Sequence, residues 1–171
     1  SAAAPVPAAV PAPAPARPRV VVLGDSLTAG YGLPSKDDAF PALLQQKVDA
    51  EGLGYEVVNM GVSGDTSAGG LRRLDWALEG DVRVLVLALG ANDGLRGLGP
   101  DQMKANLAET IDRARSRGVR VLLCGMEAPP NLGADYTAQF RRAYQDLARE
   151  KDVVFLPFLL DGVAGVAALN Q

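Results

Sequence analysis

Histidine is missing from this 171-residue chain. A serine hydroxyl in it therefore has no imidazole within these residues to take its proton. Cysteine occurs once, so no internal disulfide can form and cysteine usage says nothing of the redox compartment. In the run Val121-Leu122-Leu123-Cys124 the thiol reads as a small buried hydrophobe rather than a reactive group. Positive charge is also short: 17 Lys and Arg against 20 Asp and Glu give a net charge of −3. No basic run exceeds Arg72-Arg73 or Arg141-Arg142, which argues against nucleic acid or an anionic membrane surface as the main partner. No apolar stretch approaches the roughly 20 residues of a membrane span, so a soluble protein is expected. The Gly-x-Ser-x-Gly elbow of the common α/β-hydrolase fold is absent, and no internal repeat is visible.

What is present suits one globular domain, since 48% hydrophobic residues can fill a core. Residues 1–18 differ: fourteen are Ala or Pro, including half of the twelve prolines, which predicts an extended tether ahead of a domain over 19–171. This segment lacks the basic start and apolar centre of a signal peptide. It suits a mature exported protein, periplasmic or secreted, with or without a lipid tether, and a cytoplasmic domain is the alternative.

From Arg19 onward, short apolar or β-branched runs at 20–23, 55–58, 82–89, 119–123 and 153–156 read as five buried parallel strands. Between them lie helical spacings: Phe40, Leu44, Val48; Leu71, Leu74, Leu78; Met103, Leu107, Ile111, Ala114; and Tyr136, Phe140, Tyr144, Leu147. Each puts one apolar stripe on one helix face, toward the core. Gly118 stands where a helix-closing glycine would. The alternation predicts a three-layer α/β/α sandwich with a five-stranded parallel sheet.

In such a sheet, ligands bind beyond the carboxyl ends of the strands. Three polar motifs fall there: Gly24-Asp25-Ser26-Leu27, Gly61-Val62-Ser63-Gly64-Asp65-Thr66-Ser67 and Gly90-Ala91-Asn92-Asp93. Convergence of three loops on one crevice is the argument for function. Ser26, at the start of a helical turn, is the candidate nucleophile. Its own N–H, the Gly64 N–H and the Asn92 side-chain amide would receive an oxyanion. Gly64 would leave room for substrate to reach the backbone. Asp25 and Asp93 are expected to support the loops by accepting backbone N–H groups, and Asp65 with Thr66 to cap the helix near Ser67. The crevice walls are expected from residues 32–38, 95–99 and 128–135, the longest aperiodic loops.

The string from Gly24 to Gly32 resembles block I of the GDSL or SGNH hydrolases, Gly61 to Ser67 looks like their glycine block, and Gly90 to Gly97 like their asparagine block. The longer strings, with Pro129 to Gly133 and Leu156 to Leu160, are similar to the bacterial multifunctional thioesterase, lysophospholipase and arylesterase branch. The resemblance implies a flavodoxin-like strand order, serine-esterase chemistry on aryl esters, acyl-CoA thioesters or lysophospholipids, and no metal or cofactor. It also implies Ser26 as nucleophile, with Gly64 and Asn92 in the oxyanion hole. In that family the base is a His in an Asp-x-x-His block before the last helix. The domain over 19–171 is expected to lack that block, and the base to come from a further segment carrying Asp and His, bound or continuous.

Two other readings compete. Asp25, Asp65 and Asp93 at three strand ends could hold Mg²⁺ for phosphoryl transfer, although the paired acids and strand-end lysine of such sites are absent. A binding module that kept the crevice and lost its base would also lack the His.

Overall fold

The computed structural model describes residues 15–169. The tether expected over 1–18 falls mostly outside the described residues, as do Asn170 and Gln171. Five parallel strands form among the described residues, close to the expected runs: β1 (Arg19–Gly24), β2 (Glu56–Gly61), β3 (Val82–Ala88), β4 (Arg120–Cys124) and β5 (Val154–Leu156). Not all are buried as expected: β2 and β5 have no buried residue, because each lies at an edge of the sheet with a strand on one side only. They lie in the order β2-β1-β3-β4-β5, the flavodoxin-like arrangement in which the strand order reverses next to β1. Among the described residues seven α-helices connect or flank them: α1 (Ser26–Ala29), α2 (Phe40–Ala50), α3 (Ser67–Arg72), α4 (Leu74–Ala77), α5 (Ala91–Leu95), α6 (Pro100–Ser116) and α7 (Ala134–Lys151). Among the described residues no helix is long and apolar enough to cross a membrane.

The pleat sends alternate residues of each strand to opposite faces. Val21, Leu23, Leu85, Leu87, Val121 and Leu123 enter the larger core, which the stripes of α4, α6 and α7 complete. All four predicted stripe residues of α6 are buried there, and so are Phe140, Tyr144 and Leu147 of α7. Full burial of a large apolar side chain such as Leu107, Ile111 or Phe140 contributes roughly 1.5–3 kcal/mol. On the opposite face Val22, Val86, Ala88 and Cys124 form a smaller cluster, bordered by Phe40 of α2. Burial pushes the Cys124 thiol up to about 11, in keeping with its reading as an inert hydrophobe.

Gly118 ends α6 as the sequence suggests. At φ 76° its N–H bonds the Arg115 carbonyl (2.9 Å), while the Val119 N–H reaches back to the Ala114 carbonyl (3.1 Å). The stripe Leu71, Leu74, Leu78 does not form the single helix its spacing predicts. It divides into α3 and α4 at Arg73, whose backbone (φ −102°, ψ 8°) leaves the helical region. The glycine-block strand extends three residues beyond the predicted run, to Gly61. Gly24 consequently lies level with both Gly61 and Ala88, so the loops after β1, β2 and β3 leave the sheet at one height.

Candidate active site

Packing of α1 against the strand ends requires that two residues have no side chain. A Cβ on Gly24 would lie 1.9 Å from Thr28 Oγ1, and one on Gly61 would lie 2.2 Å from the Ala29 nitrogen. Asp25 caps α1, its Oδ1 accepting the Leu27 N–H at 3.0 Å. Ser26, half-buried, is the first residue of that helix, so its N–H has no intrahelical acceptor. Asn59 braces the other end of α1. Its Nδ2 donates to the Thr28 carbonyl (2.7 Å) and its Oδ1 accepts the Gly61 N–H (2.9 Å).

Gly64 adopts φ +80°, which an L side chain rarely takes. That conformation is the reason for glycine here, because an added Cβ would meet only Arg96 Nη2, at 3.7 Å. The Gly64 carbonyl accepts a hydrogen bond from Arg96 Nη2 at 2.8 Å. Among the described residues no acceptor engages the N–H of either Ser26 or Gly64. Thr66 caps α3 as expected, accepting the Gly69 N–H (3.2 Å). Asp65 takes a different role from the expected cap, pairing with Arg73 at 2.7 Å.

Asn92, in the first turn of α5, donates from Nδ2 to the Asp65 carbonyl at 2.8 Å, which ties the loop after β3 to the loop after β2. A primary amide has two N–H donors, so this bond fixes the side chain and leaves the second free. Beside it, Asp93 is buried and accepts two bonds from Ser67, from the backbone N–H (2.8 Å) and from Oγ (2.6 Å). Asn106 of α6 donates in turn to Ser67 Oγ (3.0 Å). Tyr144 donates its hydroxyl to the Leu89 carbonyl (2.7 Å), and burial holds the phenol far above its ordinary range, so it remains protonated. Asn59, Arg73 and Asn106 carry no motif of their own and escape a reading of the sequence, while Ser67 and Arg96 fall inside the glycine and asparagine strings, which give no sign of the bonds they make.

Asp25, Ser26 and Asn92 line one crevice of about 400 Å³, whose remaining walls are mostly apolar: Leu95, Met126, Pro130, Phe158 and Leu160 among them. Two of the three expected wall segments contribute. The third, 32–38, turns outward instead, and Leu33, Lys36 and Asp37 line a separate cavity of about 960 Å³ against α2 and β2. Phe158 and Leu160, beyond β5, were not foreseen as walls. The Asp25 carboxyl is raised above its ordinary value, first by burial. Glu127, the other carboxylate at the crevice, is gripped on both oxygens by Arg141. Asp25, Asp65 and Asp93 are each engaged by separate protein donors, and among the described residues no group of three acidic, His or Cys side chains is arranged to hold a metal ion.

The sequence matches the GDSL-like lipase/acylhydrolase family over residues 22–170. It is 44% identical to Esterase TesA of Pseudomonas aeruginosa over 153 residues, covering 89% of this chain and 76% of that protein. It is 39% identical to the Thioesterase 1/protease 1/lysophospholipase L1 of Escherichia coli, covering 84% of this chain and 68% of the relative. Among solved structures, the SGNH-hydrolase family esterase AlinE4 superposes with a TM-score of 0.86 at 39% identity, over 91% of this chain and 83% of that one. With sheet order, level strand ends and sequence in agreement, the chain belongs to the GDSL-like lipase/acylhydrolase family and is a serine-type ester hydrolase.

Proposed function

We propose that this protein hydrolyses carboxylic esters and thioesters through an acyl-enzyme on Ser26. The observation that carries the reading is the Asn92 amide, anchored on the Asp65 carbonyl while lining the same crevice as Ser26. Attack by Ser26 Oγ forms the bond to the acyl carbon and moves the carbonyl electron pair onto oxygen. The N–H groups of Ser26 and Gly64 and the second N–H of Asn92 receive that charge. Collapse expels the alcohol or thiol, and water then releases the acid. The apolar crevice suits the acyl or aryl part of the substrate. Relatives named as an arylesterase and as a thioesterase/lysophospholipase support this substrate range. The composition of residues 1–18 supports action outside the cytoplasm.

No histidine occurs in these 171 residues. The proton of Ser26 therefore passes to an imidazole from outside them, on a segment carrying Asp and His. The Asp orients the ring, and the ring later protonates the leaving group. Residues 1–171 alone should hydrolyse p-nitrophenyl acetate about a million-fold more slowly than the complete triad. Supplying the Asp- and His-bearing segment should restore turnover. Full-length enzyme treated with a fluorophosphonate should be labelled on Ser26, and Ser26→Ala should abolish both labelling and hydrolysis. Label on Ser63, or hydrolysis that persists in Ser26→Ala, would refute the assignment. Asn92→Ala should cost about 100 to 1000-fold in kcat, while EDTA should leave the rate unchanged.

A further inference from the structure

One partly buried cation at the strand ends touches neither the crevice nor the reacting atoms. Arg73 stands at the break between α3 and α4, with only 17% of its side chain exposed. Its Nε donates to Asp65 Oδ2 at 2.7 Å, Nη1 to the Met60 carbonyl at 2.7 Å, and Nη2 to the Gly24 carbonyl at 2.9 Å. These acceptors are not scattered. Gly24 lies two residues before Ser26, while Met60 and Asp65 bracket Gly64. The Asp65 carbonyl, in turn, holds Asn92. A single guanidinium thus touches the loops that carry two of the proposed oxyanion donors and reaches the third through one residue.

The ladder between β1 and β2 explains the need for such a junction. Past Gly24 and Gly61 its last link is the Val62 N–H on the Gly24 carbonyl, at 3.1 Å. Beyond that point, among the described residues, no further backbone pairing joins the two loops; Asn59 ties the far end of α1 to Gly61, and the Gly24 carbonyl accepts from Arg73 as well. Three donors on a rigid plane hold three acceptors at set angles, which a single ammonium on a flexible stem does not do. We propose that Arg73 is a positioning residue for the oxyanion hole, setting the spacing between the N–H groups of Ser26 and Gly64. The inference rests on the assignment of those groups made above. The oxyanion exists only during reaction, so misplaced donors lower kcat and leave KM nearly unchanged. A misplacement of about 1 Å at such a site costs up to about 100-fold.

The test compares full-length enzyme with Arg73→Met, Arg73→Lys and Asp65→Asn, each assayed well below its own melting temperature on p-nitrophenyl butyrate. Arg73→Met should lose about 10 to 100-fold in kcat with KM within about threefold, and the rate of fluorophosphonate labelling should fall in parallel. Arg73→Lys, which keeps the charge without the fork, should recover only part of the loss. Asp65→Asn keeps both carbonyl contacts and should lose about threefold. A purely structural Arg73 would lower the melting temperature and leave kcat alone. A folded Arg73→Met with kcat within twofold of the parent overturns the proposal, and if that variant does not fold, an unchanged kcat in Arg73→Lys overturns it equally. Failure of the parent enzyme to label or turn over is a separate result, seen before any variant is compared, and it removes the hydrolase assignment together with this role.

Discussion

The two faces of the sheet carry the same kinds of side chain and meet unequal cover. One packs Val21, Leu23, Leu85, Leu87, Val121 and Leu123 against α4, α6 and α7. The other buries only Val22, Val86, Ala88 and Cys124, bordered by Phe40, Val57 and Leu159. These sets alternate within the same strands, so local apolar character is no guide to which face becomes the main core. Cover decides it. The heavily covered face also anchors the residues behind the site: Phe140 lies under Gly94, where an added Cβ would come within 2.9 Å of its ring, and Tyr144 bonds the Leu89 carbonyl. Stability and site geometry are therefore coupled through one face more than the other.

The strongest way to break this contrast is to empty the thick face. Phe140→Ala removes a fully buried ring that stacks edge-on against Tyr144 at 5.4 Å, and should cost about 3–5 kcal/mol in urea unfolding. A loss below about 2 kcal/mol would show that this face repacks freely. Asp93→Ala comes next. It strands the Ser67 N–H and hydroxyl in a buried setting, for a predicted loss of about 2–4 kcal/mol. Asp93→Asn, able to accept one bond, should recover part of it. On the thin face Val86→Ala should cost about 1–2 kcal/mol, because its surroundings are less filled. An effect equal to that of Phe140→Ala would erase the distinction between the faces.

The smallest expected effect is pH-dependent. Burial raises the Asp25 carboxyl above its ordinary value of 3.8. A group whose folded-state value is raised contributes its full share of stability below the unfolded value, and that share is lost as pH rises through the folded one. Asp25→Asn keeps a competent helix cap and removes the buried charge. The variant should therefore gain on the parent as pH rises through the acid range in denaturation curves. A parent that gains on the variant instead would mean that the charged form is the one the cap stabilises.

Much of this was legible in the chain because it depends on near neighbours. Strand runs, the stripes of α6 and α7, the glycine that ends α6 and the capping carboxylate of Asp25 are all set within a few residues. Asp93 is not, since both its bonds come from Ser67, on another loop. The stripe at Leu71, Leu74 and Leu78 misled because periodicity does not register a break whose cause lies elsewhere: Arg73 bonds Gly24, 49 residues away. The segment 32–38 misled for a related reason, since a long loop after a strand can fold outward against α2 as readily as over the crevice.

By itself the sequence determined five strand runs, the three polar motifs at strand ends and the lack of any histidine to serve Ser26. Composition and local spacing are enough for each of these. Only the tertiary structure decided which face carries the main core, that Gly24, Gly61 and Ala88 end level, and that Arg73 and Asn92 fasten the three loops together. Those outcomes rest on contacts between residues far apart in the chain, where direction and distance are set by how the layers stack.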